Sequence, residues 1–263
     1  MTEPGAGLEI RREGPACRIT LCRPERRNAL TPDGALALAR AVEAAGRAGG
    51  ARLILLAGAG GQFCAGLDLH WLAGFERGPS AAEVRAGLER FQAAVLAIVR
   101  SPLPVVAVLQ GSVAGFGVDL AAACDLRLAG AGATFTSGFA RLGLVPDGGS
   151  TCTLPRLVGD GPALRFLLAG ETLDAETALR IGLVDEVAPD DRLEARAGTL
   201  AEAMAVGAPA SLAAIKRLCR EEQLPALERA LRREAEAQAA AFAAPEFQWR
   251  LAAFVGRTRG KPA

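Results

Sequence analysis

Pro104-Val-Val-Ala-Val-Leu-Gln-Gly-Ser-Val-Ala-Gly-Phe-Gly-Val-Asp-Leu-Ala-Ala-Ala-Cys-Asp125 decides how the rest of the chain is read. Val105 to Leu109 is an apolar run with the length and composition of a buried strand. Gln110 ends it, and a loop carrying Gly111, Gly115 and Gly117 follows. Small apolar residues come next, as in a tightly packed helix, with one carboxylate, Asp119, set among them. Glycines at a strand-to-helix junction let the backbone approach a ligand, and the first N–H groups of a helix have no partner inside it. Such a place can hold negative charge developing on an oxygen. It can equally be a tight turn before a core helix, and the stretch alone leaves both readings open.

The whole chain sets the bounds. Its 263 residues allow one large domain, or one domain with a helical appendage. Thirty basic residues against 29 acidic ones give no reason to expect a nucleic-acid or polyanion role. No apolar run approaches the roughly 20 residues of a membrane span, and the first residues do not read as a secretion signal. Six cysteines at 17, 22, 64, 124, 152 and 219 form no CxxC pair, which fits free thiols in a reducing, cytoplasmic setting. With one histidine and no tyrosine, a His-rich metal site is excluded, and a Ser-His-Asp enzyme would have to use His70.

Outward from the opening stretch, Leu8–Arg12 and Ala16–Leu21 alternate like paired strands around Glu13-Gly14-Pro15. Thr31 and Pro32 open a helix as N-cap and first residue. Further strands are expected at 52–57, 126–128, 133–136 and 183–187, and a long amphipathic helix over Ala81–Arg100. Shorter helices are expected at 161–169 and 173–180, with Pro155 limiting the helix before them. From Asp190 onward the pattern is helical, with breaks near Pro209, Pro225 and Pro245. The composition shift near 190 divides the chain into an α/β core over 1–190 and a helical region over 191–263.

Two loops of small residues precede helices, one after Phe63 and one after Gln110, and each could offer an N–H to the same oxygen. Four carboxylates lie near them. Asp119, between Val118 and Leu120, would be desolvated and its proton affinity raised, as proton transfer requires; bonding to backbone N–H groups or an arginine is the alternative. Asp147 precedes Gly148-Gly149-Ser150 and could cap a helix or work chemically. Asp125 reads as structural, Asp68 as the cap of a helix beginning at Leu69, and His70 as a surface residue near a pocket mouth.

These pieces fall together in one pattern. Arg23-Pro24, Asn28-Ala29-Leu30, FCAGLDL at 63–69, and PVVAVLQGSVAGFGVDLAAACDLRLA at 104–129 are followed by GLVPDGGSTCTLPRLVG at 143–159. LAGETLDAETALRIGLVDEV at 168–187 and FVGRTRGK at 254–261 complete it. In this order the chain resembles the crotonase, or enoyl-CoA hydratase/isomerase, family over nearly its full length. The resemblance implies an α/β spiral of ββα units with a C-terminal helical trimerisation region, a homotrimer or dimer of trimers, and an acyl-CoA thioester as substrate. Coenzyme A would enter as part of the substrate, with no further cofactor and no metal. It also implies that the oxyanion-hole N–H groups are those of Leu67 and Phe116, Phe116 standing where glycine is usual. Arg27, Asn28, Ala29 and Leu30, with Ala65, Gly66, Asp68 and Gly115, would border the substrate, and Arg257 would reach the CoA phosphates.

The acids separate the activities within that resemblance. Of the two glutamates that hydratases use, the first falls on Asp119 and the second on Phe139, which cannot move a proton. Asp147 matches the acidic residue of the enoyl-CoA isomerases, including the isomerase of phenylacetate catabolism. The leading expectation is therefore a β,γ to α,β double-bond shift with Asp147 as base and acid. The alternatives are a hydratase using Asp119, an aryl-CoA dehalogenase with Asp147 as nucleophile, and a CoA-thioester binding protein without turnover.

Overall fold

The apolar runs of the sequence become the central strands of one twisted sheet. The computed structural model describes residues 7–74 and 80–259, without the side chains of 254–259. Its strands are β1 (Leu8–Glu13), β2 (Ala16–Leu21), β3 (Leu53–Gly58), β4 (Val105–Leu109), β5 (Ser112–Ala114), β6 (Leu126–Gly130), β7 (Thr134–Thr136), β8 (Thr172–Asp174) and β9 (Glu186–Ala188). The helices are α1 (Pro32–Ala48), α2 (Leu69–Leu72), α3 (Ala81–Arg100), α4 (Phe116–Ala123), α5 (Phe139–Leu142), α6 (Ser150–Val158), α7 (Asp160–Ala169) and α8 (Ala175–Ile181). Four more follow the last strand: α9 (Leu193–Ala205), α10 (Pro209–Arg220), α11 (Gln223–Ala243) and α12 (Pro245–Arg259).

The larger sheet has six strands in the order β1-β2-β3-β4-β6-β9. β1 and β2 pair antiparallel, from Leu8 opposite Leu21 to Glu13 opposite Ala16, and the remaining neighbours are parallel. Parallel strands buried on both faces need apolar residues on both, which explains the unbroken runs Leu53–Ala57 and Val105–Leu109. Alternate residues divide between two cores. Ile54, Leu56, Val105, Ala107 and Leu109 face α1, α3 and α4. Leu53, Leu55, Ala57, Val106 and Val108 face α9 through Leu193, Ala197 and Ala201. The second sheet, β5-β7-β8, stands at the end of β4, where the chain turns toward α4.

Local chemistry sets the helix ends. The Thr31 hydroxyl accepts from Gly34 N–H, and Ser80 with Glu83 forms a reciprocal capping box at the start of α3. The structure also revises several expectations. Ser112–Ala114, read as loop, is strand β5, because Val113 and Ala114 pair with Phe135 and Thr136. Pro155 lies inside α6 rather than ending it. The helix gives up one internal bond there and continues to Gly159 because Thr153 and Leu154 are buried. Residues 172–174 form β8 before α8, with Asp174 as the cap. The last strand begins at Glu186 rather than Leu183. Pro225 falls in the first turn of α11 and does not break it, since the N–H it lacks would have had no partner there. No single helix among the described residues is long and apolar enough to cross a membrane.

Asp125 ties the helical tail to the sheet. Its carboxylate accepts from Val105 N–H at 2.8 Å and pairs with Lys216 at 2.7 Å and Arg220 at 3.0 Å. Lys216 is buried and also donates to the Ile98 and Leu103 carbonyls. Removing the carboxylate leaves a buried ammonium without a counter-charge, a loss of about 3–5 kcal/mol. Asp125→Ala is therefore expected to lower unfolding stability in urea by that amount, and adding Lys216→Met should restore part of it. Equal stability of Asp125→Ala and the parent would show that the clamp is not holding α10 to the sheet.

Candidate active site

Two loops meet at the heart of the site because their backbones pair. Cys64 N–H donates to Ser112 O at 3.2 Å, Ala114 N–H donates to Cys64 O at 2.9 Å, and Phe63 N–H donates to Gln110 O at 2.7 Å. On the other side, Leu30 N–H donates to Gly66 O and Asp68 N–H to Leu30 O. Gly66 sits between the loops at φ +91°, where a Cβ would lie 2.8 Å from Ala114 O and 3.0 Å from Phe116 N. Only glycine allows that approach without strain. Gly117 is under similar pressure, since a Cβ there would come within 2.3 Å of Cys64 O. The result is that Leu67 and Phe116 border the same cavity. Neither of their N–H groups has a hydrogen-bond acceptor among the described residues.

That cavity holds about 190 Å³ and is mostly apolar. Ala65, Leu69, Ala114, Gly115, Phe139 and Leu144 form much of its wall, and the Phe116 ring packs edge-on to Phe91 with centroids 4.7 Å apart. Asp147 is the one ionisable side chain lining it among the described residues. A second, smaller cavity of about 30 Å³ shares Leu67, Phe91 and Asp147 and opens between α2 and α3, against Trp71, Val84, Leu88 and Phe242. Asp147 thus stands where the two spaces adjoin.

Asp147 is 7% exposed. Its Oδ2 accepts from Gln238 Nε2 at 3.1 Å, and it does not cap α6, whose N-cap is Gly149. Burial pushes its carboxyl up to about 7; the Gln238 amide pulls the other way and the nearby Glu234 charge adds to the rise. Asp119, on α4, is wholly buried and lines neither cavity. The Ser150 hydroxyl donates to its Oδ1, while Oδ2 has no partner. Burial, then the charges of Asp147 and Glu234, raise its proton affinity well above the ordinary carboxylate value, against the pull of the Ser150 hydroxyl. No arginine among the described residues pairs with it. Among the described residues no set of three or more His, Cys, Asp or Glu side chains is arranged to hold a metal ion.

The remaining residues singled out in the sequence fall into two groups. Ala65, Leu67, Gly115, Phe116, Phe139 and Asp147 line the larger cavity. Arg27, Asn28, Ala29, Leu30, Gly66 and Asp68 line neither cavity; Arg27 is exposed and the other five are buried. Arg27 and Asn28 take positive φ, and Arg27 O accepts from Ala65 N–H. Asn28 is buried, with Oδ1 on Arg23 N–H and Nδ2 on Ala59 O and Gln62 O. Arg23 donates to Ala29 O and pairs with Asp68 at 2.8 Å, while Asp68 caps α2 through His70 and Trp71 N–H. His70 is exposed on α2 and lines neither cavity. The side chain of Arg257 lies outside the described residues.

Glu234 and Gln238 escaped the sequence reading, which took the chain from Asp190 onward as helical and gave these two no role. A signal was present. Leu227, Leu231, Glu234, Gln238 and Phe242 follow the spacing of one helix face, and all are buried. Two polar residues on an apolar stripe mark a place where something polar must meet them.

The family model for enoyl-CoA hydratase/isomerase matches residues 11–261. A probable enoyl-CoA hydratase of Rhodobacter capsulatus is 40% identical over 206 residues, covering 76% of this chain and 75% of its own. The 1,2-epoxyphenylacetyl-CoA isomerase of Escherichia coli is 33% identical over 240 residues, 91% of each chain. A crystal structure of an enoyl-CoA hydratase from Mycobacterium avium subsp. paratuberculosis superposes with a TM-score of 0.87 at 32% identity, over 97% of each chain. The α/β architecture and its strand order are thus those of a crotonase fold, and the chain belongs to the enoyl-CoA hydratase/isomerase family.

Proposed function

We propose that this protein is an enoyl-CoA isomerase that moves a β,γ double bond of an acyl-CoA thioester into conjugation. The observation that carries the reading is the single ionisable side chain, Asp147, in a cavity that also presents the unpaired N–H groups of Leu67 and Phe116. A double-bond shift needs one group that takes a proton and returns it. Ionised Asp147 removes a proton from the α-carbon. The electron pair passes to the thioester oxygen, giving a dienolate whose charge the two N–H groups receive. The protonated Asp147 then delivers the proton to the γ-carbon, the α,β double bond forms, and the carboxylate is restored. A carboxyl that titrates near 7 suits both halves of that cycle.

The hydratase reading asks for a second acid at the cavity to handle water. Phe139 occupies the wall where the family resemblance puts that acid, and Asp119 is sealed behind Phe116 and Gly148. Asp119 fits a structural part instead, its carboxyl accepting the Ser150 hydroxyl at the start of α6. Support from the relatives is mixed in name, since both hydratases and isomerases are among them.

Asp147→Asn is expected to cut β,γ to α,β conversion by about 10²–10⁴-fold while CoA-thioester binding persists. The appearance of the conjugated thioester over a panel of 3-enoyl-CoA substrates measures the first, and calorimetric titration the second. Substantial isomerisation by Asp147→Asn, or fast water addition to crotonyl-CoA that Asp119→Asn abolishes, would overturn the assignment.

The same carboxyl links stability to pH. Its affinity for a proton is higher in the folded chain than in the unfolded chain, where an aspartate titrates near about 3.9. Between there and about 7 the folded state binds more protons, so its stabilising contribution is present at low pH and is lost as pH rises through the window. In urea unfolding, wild type should therefore lose stability relative to Asp147→Asn between pH 4.5 and pH 8. Parallel stability curves for the two proteins would show that Asp147 titrates normally.

A further inference from the structure

Loop 145–151, which carries Asp147, is held from one face of α11. Gln238 Oε1 accepts from Val145 N–H at 3.0 Å, and its Nε2 donates to Asp147 Oδ2 at 3.1 Å. One turn earlier on the helix, Glu234 Oε2 accepts from Gly149 N–H at 2.6 Å. Its Oε1 accepts from Thr151 N–H at 3.0 Å and from the Thr151 hydroxyl at 2.5 Å. Residues 145, 147, 149 and 151 are thus each gripped by a side chain four residues from the other on α11. Both side chains are almost fully buried, Glu234 at 4% and Gln238 at 1% exposure. Both oxygens of Glu234 receive N–H donors, which favour its ionised form against the rise that burial imposes.

The charges around Asp147 are one-sided. Asp119 faces it from α4, Glu234 from α11, and Glu83 of α3 lines the smaller cavity with it. No lysine, arginine or histidine lines either cavity among the described residues. Of these acids, Glu234 is the one whose charge raises the proton affinity of Asp147.

We propose that Glu234 and Gln238 are the positioning residues for Asp147, and that they act on its proton in opposite directions. Gln238 aims the carboxylate and favours its charged form by donating to it. Glu234 fixes the turn on which Asp147 rides and, as a buried anion, favours the form that carries the proton. The balance between them sets the pH at which Asp147 is free to take a proton. This rests on Asp147 being the proton-transfer group, but the carboxyl can be followed without any turnover.

The test follows the Asp147 carboxyl by carbon-13 NMR in protein labelled at aspartate, its signal identified by absence from Asp147→Asn. Glu234→Gln, which keeps the shape and an acceptor oxygen, should lower the titration midpoint by about one pH unit. Gln238→Met, which removes the donor, should raise it. The acid limb of kcat/KM for isomerisation should move with each midpoint. A midpoint that stays put in Glu234→Gln, or that shifts the same way in both variants, overturns the proposal. If Glu234→Gln does not fold, the direction of the Gln238→Met shift decides alone, an upward shift supporting the pair and any other result rejecting it. Opposed NMR shifts together with a fully active Asp147→Asn would instead reject Asp147 as the base and leave the positioning intact.

Discussion

The site depends on the short parallel pairing of Cys64 with Ser112–Ala114. Two segments about 50 residues apart in sequence are brought within backbone hydrogen-bond reach, and the close approach at Gly66 and Gly117 is its steric consequence. Because the pairing uses the N–H and carbonyl of Cys64 and the N–H of Ala114, the N–H groups just beyond it, of Leu67 and Phe116, are left over. A regular strand would have consumed them. The open donors are thus the product of pairing that stops, with helices beginning immediately on both sides.

Asp147 illustrates a second constraint. A carboxylate buried without a cation is costly, and the chain answers in three different ways within one region. Asp119 is pushed toward its protonated form by burial and by the neighbouring acids. Glu234 is also pushed up by burial, but N–H donors on both oxygens and the Thr151 hydroxyl pull it back. Asp147 has one amide donor and an open side toward the cavities, which leaves it between those extremes. Burial raises all three, and they differ in the hydrogen-bond donors that pull each one back.

Much of this was legible in the sequence, and the reasons are physical. The apolar runs at 53–57 and 105–109 had to be doubly buried strands, and Thr31-Pro32 had to start a helix, because local chemistry alone decides those. Asp68 as a cap and Asp125 as a structural carboxylate were legible for the same reason. β5 was hidden because three residues carry too little periodicity, and its partner, β7, lies 22 residues away in register. Pro155 misled because propensity was overridden by burial of its neighbours. The meeting of the two loops came only through the family resemblance, and the part played by Glu234 and Gln238 was not legible, since both are products of tertiary contact between distant segments. The spacing of the buried stripe on α11 was the one trace of it in the chain.

The grip of α11 on loop 145–151 also bears on the order in which the molecule can be completed. The four hydrogen-bonded links to that loop span 83 to 93 residues of chain. Every strand has been made by residue 188, yet Asp147 has no fixed direction until residue 238 exists. The sheet is assembled from nearer neighbours, and the loop that carries Asp147 draws its contacts with α11 from the most distant ones. A chain that stopped short of α11 would have the walls of the cavity without the Gln238 amide that meets the Asp147 carboxyl.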